Sequence, residues 1–171
     1  MRMLFYYVAL TVILLDQATK LVIVRALRVG QGIPVIPGYF DIVFVLNPGA
    51  AFGFLATLSE GVRNPFFILI TVAAAILIVF YHTRFLHADR LATVALGLIL
   101  GGAIGNLIDR LRYGMVVDFL DFHVSRYHWP AFNVADSAIS IGVGLMLLDM
   151  VLDWRRENRK AAADGTADER R

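Results

Sequence analysis

Four long apolar runs, at residues 3–24, 65–81, 91–108 and 132–152, constrain this 171-residue chain more tightly than any other feature. Hydrocarbon offers no water to a backbone N–H or C=O, so a segment that crosses a bilayer must satisfy its own hydrogen bonds, as a helix does. Each crossing takes roughly 20 apolar residues, and four of them use about half the chain, leaving little for a separate soluble module. Composition agrees: 58% of the side chains are hydrophobic and the mean hydropathy is +0.68, against about half apolar in a soluble domain. The expected fold is an all-α membrane protein with four transmembrane helices.

The first run follows Arg2, as a cleaved signal peptide would, but Asp16, Gln17 and Lys20 interrupt its far half and no A-x-A-like site precedes Arg28. It is predicted to stay as a span. His82-Thr83-Arg84 closes the second run and Asp89-Arg90 opens the third. Asp153-Trp154-Arg155-Arg156 closes the fourth with the aromatic and basic residues common at a membrane boundary. Residues 1–156 then form one integral membrane domain. The remainder, 157–171, is dominated by Ala, Asp, Glu, Arg and Lys without apolar periodicity, and is predicted to be a disordered cytoplasmic tail.

Arg2, Arg84, Arg90, Arg155, Arg156, Arg159 and Lys160 fall at one side of the four spans, which places both termini in the cytoplasm. Arg25, Arg28, Arg63, Arg110, Arg112 and Arg126 fall at the other, so the asymmetry is modest. The net charge of +2 comes from scattered basic residues and a basic end segment, a pattern that does not suit nucleic acid. The absence of cysteine excludes disulfides, thiolate metal ligands and a cysteine nucleophile.

The outer side carries the longest connection, residues 25–64, with turn signals at Gly30-Gln31-Gly32, Pro34, Pro37-Gly38 and Asn47-Pro48-Gly49. Between them, residues 39–46 are dense in aromatic and β-branched side chains and read as a strand. Residues 50–58 read as a short interfacial helix. A second outer connection, 111–130, holds another extended stretch at 116–122. A small extracytoplasmic β-sheet is therefore expected.

Polar residues in or beside apolar runs need an explanation, because they are costly in lipid. Gly97, Gly101 and Gly105 form the small-residue pattern that lets membrane helices approach closely. Next come Asn106, Asp109 and Arg110 on one helical face, either an Asp109–Arg110 ion pair anchoring the helix end or a functional cluster. Asp16 and Lys20, at i and i+4, read as a mutually neutralised pair with Lys20 snorkelling outward. Asn133 and Asp136 suit a helix N-cap with an acid in the first turn. Asp118 lies at the same interface as Asp136. In an extended segment Asp118 and Asp121 point to opposite faces, and the pattern alone does not say which faces the bundle.

Five segments in order resemble the lipoprotein signal peptidases, the type II signal peptidases of bacteria. They are Asp16-Gln17-Ala18-Thr19-Lys20, Asn47-Pro48-Gly49-Ala50-Ala51-Phe52, Gly101-Gly102-Ala103-Ile104-Gly105-Asn106-Leu107-Ile108-Asp109-Arg110, Val116-Val117-Asp118-Phe119 and Phe132-Asn133-Val134-Ala135-Asp136-Ser137. The resemblance implies an intramembrane aspartic endopeptidase of the bacterial cytoplasmic (inner) membrane. It would remove the signal peptide from a diacylglyceryl-modified prolipoprotein, cutting just before the lipidated cysteine. It implies Asp118 and Asp136 as the catalytic pair, with Asp121 a bystander. Asn47, Asn106, Arg110 and Asn133 would line or support the substrate site, and Asp16, Lys20 and Asp109 would give supporting polar contacts. Neither metal nor cofactor is expected; the partners are the prolipoprotein and membrane lipids, and the chain is expected to be a monomer.

The chemistry accords with that implication. Two acids held close share a proton, leaving one carboxylate as a base for water and one carboxylic acid as a donor. A proton-coupled transporter would place its acids near the bilayer midplane, often with an internal repeat, whereas these lie at one interface and no repeat is present. A non-catalytic assembly factor, packing its glycines on a partner helix, is the third alternative.

Overall fold

The computed structural model describes residues 2–49, 59–84 and 90–168. In chain order its elements are α1 (Arg2–Ala26), β1 (Gly32–Ile36), β2 (Phe40–Asn47), α2 (Glu60–Arg84), α3 (Arg90–Tyr113), β3 (Val116–Val124), β4 (Tyr127–His128) and α4 (Val134–Asp168). The interfacial helix expected at 50–58 and the short connection at 85–89 lie outside the described residues.

All four helices are long and apolar enough to cross a membrane, and the protein is a multi-pass membrane protein. Half of the most apolar window of α3 is buried, against 6% of that of α2, so α3 is the centre of the bundle and α2 a peripheral member. Large apolar side chains that remain exposed, such as Leu14, Leu69, Leu77 and Met150, face outward where lipid would cover them. Lipid tails supply no hydrophobic drive between helices, so association rests on close packing. A Cβ at Gly101 of α3 would lie 2.7 Å from the Ala9 carbonyl oxygen of α1, and one at Gly102 would collide with the Ala135 carbonyl oxygen of α4. The glycine spacing seen in the sequence thus serves α1, while Gly102, one residue off that pattern, serves α4.

The helices outrun the apolar runs that predicted them. The most informative extension is that of α3, which carries Asn106, Asp109 and Arg110 inside the helix. It stops where Gly114 adopts φ 72° and its N–H donates to the Arg110 carbonyl at 3.1 Å, a left-handed turn that suits glycine. At the other end of the chain, α4 runs on to Asp168, so residues 157–168 are helical where disorder was expected. Alanine, glutamate, arginine and lysine are all good helix formers, which allows a helix without apolar periodicity.

The four strands form one antiparallel sheet in the order β1-β2-β3-β4. Strand β1, fully exposed and short, was not foreseen as a separate element. The sheet closes one end of the bundle. Phe44 of β2 and Val117 and Phe119 of β3 pack with Ile23 of α1 and Leu27 just after it into a buried cluster. Between β2 and β3 the register pairs Asp41 with Asp121, slips between Ile42 and Val45, and resumes with Val45 opposite Asp118.

Replacing Gly102 by Leu should force α3 from α4, an overpacking that typically costs about 1–3 kcal/mol. A Cβ at Gly144 meets nothing within 4 Å, so Gly144→Ala serves as the control. Thermal unfolding in detergent should show a clear loss of stability for the first and little change for the second.

Candidate active site

Asp118 and Asp136 reach one cavity from different elements. Asp136 sits in the first turn of α4, and Asp118 lies on β3 where that strand leaves the end of α3. The cavity has a volume of about 750 Å³, within the range of ligand sites. Its polar side is formed by the two aspartates with Asn47, Asn106 and Arg110, and its apolar side includes Phe67, Phe132 and Ile139.

Each carboxylate is met by side-chain amides. Asn47 Nδ2 donates to Asp118 Oδ2 at 2.9 Å and Asn133 Nδ2 donates to Asp118 Oδ1 at 2.7 Å. Asn106 Nδ2 donates to Asp136 Oδ1 at 2.8 Å. Asn133 also caps α4 as expected: its Oδ1 accepts the Asp136 backbone N–H at 2.9 Å, the N-cap to N3 bond. One residue therefore ends the β3–α4 connection, starts the helix and touches Asp118.

Behind these amides lies a buried ion cluster. Lys20 Nζ lies 2.9 Å from Asp16 Oδ2 and 2.8 Å from Asp109 Oδ2, and donates to Asn106 Oδ1 at 3.0 Å. Asp16 Oδ1 accepts the Ala135 N–H at 2.9 Å, and Asp109 Oδ2 accepts the Val117 N–H at 3.1 Å. The Asp16–Lys20 pair forms, but Lys20 does not snorkel. It is 3% exposed and points into the bundle, because three acceptors await it there. Asp109 likewise pairs with Lys20 rather than with Arg110, since consecutive helical residues diverge by about 100°.

Arg110 instead turns toward the cavity, where its Nη2 donates to the Gly49 carbonyl at 3.1 Å and its guanidinium lies 4.4 Å from the centre of the Phe67 ring. Asp121 stands apart, held by His128 Nδ1 at 2.9 Å and absent from the cavity wall. Sequence reasoning passed over Gln17, whose Nε2 bridges Asp16, the Gly105 carbonyl and Asp109. Its signal was visible, a polar side chain inside an apolar run. Gly49 and Phe67, the partners of Arg110, gave no such signal. Among the described residues no group of three or more carboxylate or imidazole side chains is arranged to hold a metal.

Known proteins resemble this chain over most of its length. The family described as signal peptidase (SPase) II matches residues 8–152. The chain belongs to the signal peptidase II family. Within that family, which makes it a peptidase of the aspartic class, its relatives include the lipoprotein signal peptidases of Syntrophotalea carbinolica and Geobacter sulfurreducens. The first is 51% identical over 86% of this chain and 89% of its own. The second is 51% identical over 92% and 96%. A bacterial membrane enzyme solved by the in meso method at 2.3 Å resolution superposes with a TM-score of 0.79 at 36% identity, covering 87% of this chain and 88% of that one.

In this signal peptidase II, the cavity acts on the carboxyl of Asp118. Burial pushes its carboxyl up to about 7, the charge of Asp136 adds to the rise, and the amide hydrogen bonds from Asn47 and Asn133 pull the other way. In the unfolded chain an aspartate titrates near about 3.9. Between those values the folded chain keeps a proton that the unfolded chain has released, so this group's contribution to stability falls as the pH rises through that window. Asp118→Asn should therefore gain thermal stability relative to the wild type as the pH goes from about 4 to about 8. A difference in Tm that stays flat across that range would contradict the assignment.

Proposed function

We propose that this protein removes signal peptides from diacylglyceryl-modified prolipoproteins, cutting just before the lipidated cysteine, with Asp118 and Asp136 as the catalytic pair. The observation that carries this is the convergence of two carboxylates on one cavity at the end of the helix bundle, each met by an amide N–H. Family membership and the names of the relatives support the substrate class.

Two carboxylates so placed hold one proton between them. The ionised member takes a proton from water as the water oxygen attacks the scissile carbonyl carbon, and the protonated member gives its proton to the carbonyl oxygen. The resulting tetrahedral diol collapses by breaking the C–N bond, with a proton passing to the leaving amine of the cysteine. Water is the only co-reactant. Arg110, Asn47 and Gly49 line the cavity and are suited to hold the peptide backbone, while its apolar side suits the signal segment. Asn133, Asp16, Lys20 and Asp109 support the pair from behind.

Placement at the outer interface gives the chemistry its reason. A substrate anchored by a signal helix and by acyl chains holds its scissile bond at the level of the headgroups. That level matches the end of the bundle where α4 begins and the sheet closes the fold. We assign this end to the outer face of the cytoplasmic membrane, both termini to the cytoplasm, and a monomer as the working unit. A transporter is disfavoured by the same placement, since Asp118 lies beyond the end of its span and Asp136 in a first helical turn.

Asp118→Asn and Asp136→Asn should each reduce processing of a lipidated prolipoprotein in membranes by at least about 10²-fold, whereas Asp121→Asn should process normally. Full cleavage by either of the first two variants removes the pair from consideration. For topology, the cysteine-free chain permits single labels. In intact cells a membrane-impermeant thiol reagent should modify Arg126→Cys and leave Asn158→Cys untouched, and the reverse pattern inverts the orientation.

A further inference from the structure

Three asparagines offer N–H groups to the two aspartates, and each needs its carbonyl end held elsewhere, because an asparagine amide presents a donor or an acceptor depending on which way it faces. For Asn47 the holding group is the Gly49 backbone N–H, donating to Oδ1 at 3.0 Å. For Asn133 it is the Asp136 backbone N–H at 2.9 Å. Both are donors only, so these two orientations follow from the backbone. Among the described residues Asn106 has no backbone donor in that role. Its Oδ1 faces the Lys20 ammonium at 3.0 Å and, more weakly, Asn133 Nδ2 at 3.3 Å.

We propose that Lys20 is a positioning residue for the peptidase reaction, holding the Asn106 amide with its N–H end on Asp136. This rests on Asp136 being one of the catalytic pair. An ammonium has three donors and no acceptor, and those of Lys20 are matched by Asp16, Asp109 and Asn106. Its charge is balanced by the two carboxylates beside it, and in addition to that charge it gives the site direction. With Lys20 in place only the NH2 group of Asn106 can face Asp136. Without it the amide can rotate and present its oxygen, which favours the protonated acid and opposes its use as a base. Lys20 is also the one holding group of the three that belongs to a side chain, and hence the one that substitution can remove.

The consequence is separable from simple support of the fold. Lys20→Met should lower kcat by about 10–100-fold, the worth of one charge-assisted hydrogen bond, with KM changed little. The acid limb of its pH–rate profile should move to higher pH by about one unit. In an Asn106→Leu background, Lys20→Met should cost no further kcat, because the pathway through the amide is already gone. Asp136→Asn, measured alongside, separates the two readings. If it turns over normally, the catalytic pair is wrong. If it is inactive while Lys20→Met keeps wild-type kcat and pH profile, or if the Lys20 and Asn106 losses add, the positioning role is overturned and the pair stands. Should Lys20→Met fail to accumulate in membranes, Lys20→Met/Asp109→Asn removes a stranded carboxylate together with the ammonium, and the same kcat and pH readouts decide.

Discussion

The buried ammonium of Lys20, held between Asp16 and Asp109, is the interaction on which the rest of the site depends. A lone charge at the centre of a membrane helix costs at least about 3 kcal/mol, and the two carboxylates would be as unwelcome without it. Together they satisfy one another and retain acceptor capacity for backbone N–H groups. Asp16 uses it on Ala135 at the start of α4, and Asp109 on Val117 at the start of β3. Ala135 adjoins Asp136, and Val117 adjoins Asp118. One ion cluster therefore fixes the backbone on either side of the cavity. Removing one member strands a buried charge, a loss of about 3–5 kcal/mol where such pairs are broken.

Close helix packing makes these short side chains long enough. A Cβ on Gly105 would lie 2.6 Å from Asp16 Oδ2, so the absence of a side chain there is what lets the α1 carboxylate reach between α3 and α4. The same economy governs the sheet. Phe44, Val117 and Phe119 bury themselves against the end of α1, which seats β3 on the bundle. The register slip between Ile42 and Val45 then sets Val45, rather than Phe44, opposite Asp118. Packing, backbone direction and site electrostatics are thus parts of one arrangement.

Much of this was legible from particular residues. The apolar runs located all four helices, because length and hydropathy alone decide whether a segment can cross a bilayer. Asn133 three residues before Asp136 announced an N-cap, a local interaction with a local signature. The aromatic and β-branched stretches marked β2 and β3. Strand β1 was not distinguished from the turns around it, since a short strand exposed on every residue has no alternation to read. The helical course of 157–168 went unforeseen because polar composition describes the solvent a segment prefers more directly than its backbone.

The sequence by itself determined the spans, the presence of a small sheet and the identities of the polar residues, since each follows from local composition, spacing or ordered motifs. Which polar groups meet was decided only by the tertiary structure. The orientation of Lys20, inward to Asp109 and Asn106 instead of outward to an interface, depends on residues some 90 positions away. The separation of Asp118 from Asp121 in space depends on strand register and on where His128 lies. A carboxylate's neighbours come from other elements of the fold, and so do its hydrogen bonds, its desolvation and its proton affinity.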